Sequence, residues 1–112
     1  MSTQINFKKG SVEMLLLHVL SCKGDCYGYQ LSQLIKKSSE NTLDFPALYK
    51  MIDNGYISDY KQQVGKRLVR VYYHLEEAGQ IRLEDLKKEY YATNQSIQQV
   101  LNNDFSEDEA DE

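Results

Sequence analysis

Apolar residues in the first part of the chain recur at helical spacing. Val12, Leu15, Leu16, Val19 and Leu20 mark a helix over 10–22, and Met14 and Leu17 widen its stripe around the cylinder. A helix apolar on nearly every side must be covered from more than one direction, and in so small a chain a second subunit is a natural source of cover. Lys23-Gly24-Asp25 predicts a helix stop followed by a new N-cap. A second helix is expected over 27–37 with Tyr27, Leu31, Leu34 and Ile35 inward, and residues 38–41 form a turn. A third helix over 43–54 follows. Thr42 or Asp44 can cap it, Pro46 fits its first turn, Gly55 closes it, and Leu48, Met51 and Ile52 point inward at i, i+3, i+4.

The period then changes from helical to alternating. Val69, Val71, Tyr73 and Leu75 alternate with Arg70, Tyr72 and His74, which predicts a strand over 67–75. A partner strand over 56–61 and a loop over 62–66 complete a two-stranded hairpin with one packed face and one charged face. Helical spacing returns over 76–102, where Leu83, Leu86, Tyr90, Thr93, Ile97 and Val100 are spaced 3, 4, 3, 4, 3. That is a heptad seam, the pattern of a helix that pairs with another helix.

Composition narrows the picture. A chain of 112 residues with 41% hydrophobic content suits one domain. Its longest apolar run, Met14 to Leu17, is far short of the ~20 residues that a membrane span needs. No basic segment leads into an apolar stretch with a small-residue cleavage site, so a soluble, cytoplasmic chain with no membrane partner is expected. The formal net charge of −4 hides a split: the last nine residues carry six of the 17 acids, which leaves 11 acids against 13 bases over 1–103. An acidic tail on a slightly basic body is compatible with a nucleic-acid partner. The low-complexity tail over 103–112 is expected to be disordered.

Three helices, a hairpin and a long helix follow the order of a winged helix-turn-helix, a mainly α fold whose third helix enters the DNA major groove. The division expected is a DNA-binding domain over 1–76, a dimerisation helix over 77–102 and the tail. From Tyr60 to Arg70 there are four bases, Lys61, Lys66, Arg67 and Arg70, and no acid. A basic hairpin tip suits phosphates, since each neutralised phosphate releases counterions. A solvated charged hairpin that merely blunts edge pairing is the plainer alternative.

Four blocks carry a family resemblance: Phe7-Lys8-Lys9-Gly10-Ser11-Val12-Glu13-Met14-Leu15-Leu16-Leu17, Tyr27-Gly28-Tyr29-Gln30-Leu31, Phe45-Pro46-Ala47-Leu48-Tyr49-Lys50, and Gly65-Lys66-Arg67 through Tyr72-Tyr73-His74-Leu75. In this order, over about 7–101, the chain resembles the PadR family of transcriptional regulators, in the short form with one C-terminal helix. The resemblance implies a homodimeric repressor of operator DNA, released by small aromatic or hydrophobic ligands. It places Phe45, Tyr49 and Lys50 on the recognition helix, Tyr27 at the opening of the second helix, and Lys66, Arg67 and Arg70 on the wing; the cap residue Thr42 and Lys61 of the basic run complete the expected DNA contacts. It also implies a dimer interface from the first and last helices, with Met14, Leu17, Leu83, Leu86, Tyr90, Ile97 and Val100, and a ligand cleft lined by Met14, Leu17, Tyr90 and Tyr91. Where the family usually reads Thr-Leu-Tyr-Pro or Ser-Leu-Tyr-Pro, this chain reads Leu43-Asp44-Phe45-Pro46, exchanging a phosphate-binding hydroxyl for an apolar side chain and adding a carboxylate.

Other chemistries are weaker in the sequence. His18-x3-Cys22-x3-Cys26 has metal-like spacing, but two thiols and a helical His are ordinarily packed side chains, so no metal or cofactor is expected. Neither a Gly-rich phosphate loop, nor a nucleophile elbow, nor a paired-carboxylate motif is present, which argues against an enzyme. The alternative from another class is a winged-helix dimer that binds ligands or proteins and has weak or lost operator binding, for which Leu43-Asp44 is the sequence feature.

Overall fold

The computed structural model describes residues 9–39 and 45–107. Its elements are α1 (Lys9–Lys23), β1 (Cys26–Tyr27), α2 (Gly28–Ser39), α3 (Phe45–Asp53), β2 (Ile57–Val64), β3 (Leu68–Leu75) and α4 (Glu77–Leu101). This is a mainly α fold with a winged helix-turn-helix arrangement and a long C-terminal helix.

Helix ends follow the expected chemistry. Gly24 N–H donates to the Leu20 carbonyl at 3.0 Å, and Gly55 N–H to that of Ile52 at 3.0 Å. Both glycines have positive φ, 84° and 79°, the left-handed conformation that closes a helix and that other residues resist. The start of α3 as expected, with Thr42, Leu43 and Asp44, lies outside the described residues.

The sheet differs from the expected two-stranded hairpin. It has three antiparallel strands in the order β1-β3-β2. Cys26 pairs with Tyr73 and Tyr27 with Tyr72, so Tyr27 belongs to a short strand and α2 begins one residue later. A two-residue strand has no periodicity, and this one forms because β3 offers an open edge. The hairpin is also longer than expected. β2 runs to Val64 and pairs with Leu68, leaving Gly65-Lys66-Arg67 as the turn. The Gln63 side-chain amide donates to the carbonyls of Gly65 at 3.2 Å and Lys66 at 3.4 Å, which holds that turn closed.

The core joins every helix to the sheet. Leu16, Leu17 and Leu20 of α1 meet Leu31 and Ile35 of α2, Leu48 and Met51 of α3, Ile57 and Tyr73 of the sheet, and Leu83 and Leu86 of α4. Leu16, Leu17 and Leu20 of α1 are thus covered within the chain, while Val12, Met14, Leu15 and Val19 are half-buried. Leu17 and Leu83 are fully buried and Leu86 nearly so. Three of the residues expected at a dimer interface thus already lie in the chain's own core.

The two halves of α4 have different surroundings. The first half is held by Leu83 and Leu86, by Arg82, whose guanidinium donates to both carboxylate oxygens of Glu13 (3.1 and 3.4 Å), and by Ser21 Oγ donating to Gln80 at 3.1 Å. From Lys88 onward every residue of the helix is exposed. The result is an elongated molecule with extents of 76 × 38 × 21 Å. Beyond α4, the Asn103 and Asp104 side chains accept from the backbone N–H groups of Phe105 and Ser106, which turns the chain over 103–106. Among the described residues no helix is long and apolar enough to cross a membrane.

Candidate nucleic-acid interface

The exposed side of α3 is aromatic and basic. Leu48 and Met51 bury the opposite face, which leaves Phe45, Tyr49 and Lys50 outward, with Tyr49 57% exposed. Phe45 and Tyr73 both border Gly28 of α2, where an added Cβ would lie 4.0 Å from each ring. Burial raises the pKa of the Tyr73 hydroxyl, and nearby Tyr49 and Asp59 add to the shift. Tyr73 is buried in one cluster with Leu48 and Met51 and so marks the sheet face on which α3 packs.

Cross-strand partners share a face, so the register sorts the wing. Lys61 pairs with Val71 and Gln63 with Val69, and these four lie on the Tyr73 side. Val69 was expected to pack, but the hairpin outruns the core there and leaves it 56% exposed. Lys66 and Arg67 are exposed at the turn.

Arg70, Tyr72 and His74 lie on the other face, with Tyr60 and Tyr27. The Arg70 guanidinium rests 4.2 Å above the Tyr27 ring, a cation–π contact. The register thus places Arg70 and Tyr27 on the sheet face opposite Lys61; Thr42 lies outside the described residues. Tyr72 meets Tyr27 edge-on (centroids 5.5 Å, 64°) and stacks on Tyr60 (5.5 Å, 12°). Asp25 accepts from the Tyr60 hydroxyl at 2.7 Å and pairs with His74 Nδ1 at 2.8 Å. The hydrogen bonds from His74 and then Tyr60 lower the Asp25 pKa, and the bond to Asp25 raises that of His74. The sequence offers Asp25 as an N-cap and Tyr27 and Arg70 as DNA contacts, and it does not join them in a cluster, because Asp25 is 35 residues from Tyr60 and 49 from His74.

Of the residues expected in a ligand cleft, Leu17 is sealed in the core, Met14 is half-buried, and Tyr90 and Tyr91 are exposed on α4 with rings edge to face at 5.4 Å. Cys22 is exposed, with its thiol 3.4 Å from His18 Nε2, whereas Cys26 is buried and bonds the Gly24 carbonyl. Burial raises the Cys26 pKa. Among the described residues no three His, Cys, Asp or Glu side chains gather closely enough to hold a metal ion.

Known proteins share this architecture. The structure of smu.1704 from Streptococcus mutans UA159 is 32% identical with a TM-score of 0.77, over 90% of this chain and 95% of that one. A PadR family transcription regulator from Clostridium difficile R20291 is 27% identical with a TM-score of 0.73, over 81% and 98%. Bacillus subtilis PadR, solved in complex with operator DNA, is 25% identical with a TM-score of 0.59, over 67% of this chain and 45% of that one. A search of curated proteins finds no match. The model of the transcriptional regulator PadR-like family matches residues 16–85, well over half of the chain. On that match, and on a wing and helix-turn-helix of the same form, the chain belongs to the PadR-like family of transcriptional regulators.

Proposed function

We propose that this chain is a homodimeric repressor that binds double-stranded operator DNA and acts by binding rather than catalysis. One observation carries the reading. The outward side of α3 presents Phe45, Tyr49 and Lys50, and the wing turn presents Lys66 and Arg67, in a fold shared with a regulator solved on operator DNA. In this reading α3 enters the major groove and the wing bases neutralise phosphates. Residues up to 76 form the DNA-binding part and α4 the dimerisation element.

The second copy is supported by the exposed outer half of α4. Tyr90, Ile97 and Val100 form a stripe there that no described residue covers, and this outer half, 88–101, is about 21 Å long, enough for a paired interface. Small planar aromatic or hydrophobic effectors would bind between Met14 of one element and Tyr90 and Tyr91 of another, stacking on the rings while Met adapts its shape. The test is a titration of the full chain against duplex DNA from upstream of its own gene, beside random duplex. Specific binding supports the reading. Equal, weak binding of both duplexes favours the ligand- or protein-binding alternative.

A further inference from the structure

The wing is a lever whose root is held mainly from one side. On the β1 side the sheet has a ladder only two residues wide, Cys26 to Tyr73 and Tyr27 to Tyr72. Past the Lys61–Val71 rung the hairpin leaves the core, and at its far end Leu68 and Val69 are half or more exposed. From Tyr60 to Val64, the last strand residue before the turn, the strand spans roughly 13 Å at about 3.3 Å per residue. A rotation of ~10° at the root would therefore displace the tip by roughly 2.3 Å, enough to break a hydrogen bond.

One side chain grips both strands at that root. Asp25 lies between α1 and β1, directly before the segment that leads into α2. One carboxylate oxygen accepts from Tyr60 of β2 at 2.7 Å and the other meets His74 Nδ1 of β3 at 2.8 Å. Tyr60 and His74 are not cross-strand partners; they pair with Tyr72 and Ser58 respectively, so Asp25 spans a diagonal of the hairpin. Tyr60 then stacks on Tyr72, Tyr72 abuts Tyr27, and Arg70 covers Tyr27. The brace runs unbroken from the start of the helix-turn-helix to the free part of the wing.

We propose that Asp25, through Tyr60 and His74, is the positioning residue that sets the wing's angle to the recognition helix and so decides whether Lys66 and Arg67 reach phosphates. The inference rests on the DNA-binding reading above. It gives Arg70 a part in the brace rather than a place on DNA.

Charge and position make opposite predictions here. Asp25→Asn removes a negative charge from a DNA-binding domain, so electrostatics alone would tighten binding. Loss of the brace would weaken it. The experiment measures affinity of the full chain for a fluorescent duplex from upstream of its own gene, from 50 to 200 mM salt. It compares wild type, Asp25→Asn, Tyr60→Phe and the wing double variant Lys66→Ala, Arg67→Ala. Asp25→Asn is expected to weaken binding about tenfold and to flatten the salt slope by about two, as the wing variant does. It should add little in the wing-variant background, since the contacts it positions are already gone. Tyr60→Phe keeps charge and volume and should weaken binding in the same direction, which keeps the test valid if Asp25→Asn folds poorly. Unchanged or tighter binding by the variants, or a full extra loss in the wing-variant background, would overturn the inference alone. Failure of the wild-type chain to bind duplex would overturn the DNA-binding reading along with it.

Discussion

Gly79 of α4 passes the backbone of Tyr56 with no space for a side chain: a Cβ there would lie 2.0 Å from the Tyr56 carbonyl oxygen and 2.9 Å from its carbon. That carbonyl also accepts from Glu76 N–H at 3.0 Å, and Arg82 carries its guanidinium 5.7 Å from the Tyr56 ring. The start of the long helix and the root of the wing are thus locked at one residue. Ala is ordinarily favoured over Gly inside a helix by about 1 kcal/mol. At 79 the clash with backbone reverses that sign. Gly79→Ala should destabilise the fold by about 2 kcal/mol or more, read as a lower midpoint in urea at fixed protein concentration.

The wing turn should supply a sequence-independent share of DNA affinity. Lys66→Ala with Arg67→Ala removes two exposed cations, so the slope of log affinity against log salt should flatten by about two. Binding to specific and random duplexes should fall to a similar degree. An unchanged slope would mark the wing as a solvated hairpin.

Dimerisation is best tested on the outer half of α4. Leu86 is buried within the chain, so an acid there would unfold the body rather than separate subunits. Ile97 is 49% exposed and touches none of the core. Ile97→Asp should yield a folded monomer by sedimentation, with near-native circular dichroism and much weaker operator binding. Tyr91→Ala, outside the Tyr90–Ile97–Val100 stripe, should leave the dimer intact and reduce the quenching of tyrosine fluorescence by planar aromatic compounds.

The Asp25–His74 pair should make stability pH-dependent. The His74 pKa is raised in the folded state, chiefly by its bond to Asp25, so its contribution is full below the ordinary histidine range and is lost as pH rises through the raised value. The Asp25 pKa is lowered, so its contribution is present above the ordinary carboxylate range and is lost as pH falls through the lowered value. Together they act in the mildly acidic window. Both groups are well exposed, which keeps the effect below about 1 kcal/mol. His74→Gln should therefore be less stable than wild type near pH 5.5, with a gap that shrinks by pH 8.5, as read from thermal unfolding.

Periodicity by itself determined the order of elements. The 3.6-residue stripe of 10–22, the alternation of Val69, Val71, Tyr73 and Leu75, and the heptad seam from Leu83 to Val100 are local signals, each set by which positions must avoid water. The helix-closing roles of Gly24 and Gly55 were legible for the same local reason, as was the acid-free basic run in the wing. Tertiary structure decided what no local pattern encodes. The two-residue strand at Cys26 exists because β3 has an edge to fill, and a strand that short has no period to read. Leu17, Leu83 and Leu86 carry a pattern that fits a dimer seam, yet the chain's own helices and sheet cover them, since periodicity names a buried face without naming what buries it. Cross-strand register turned Arg70 away from the α3 side of the sheet and onto Tyr27. Asp25 came to bridge Tyr60 and His74 because chain closure brings distant residues together, and no spacing in a linear sequence records that distance.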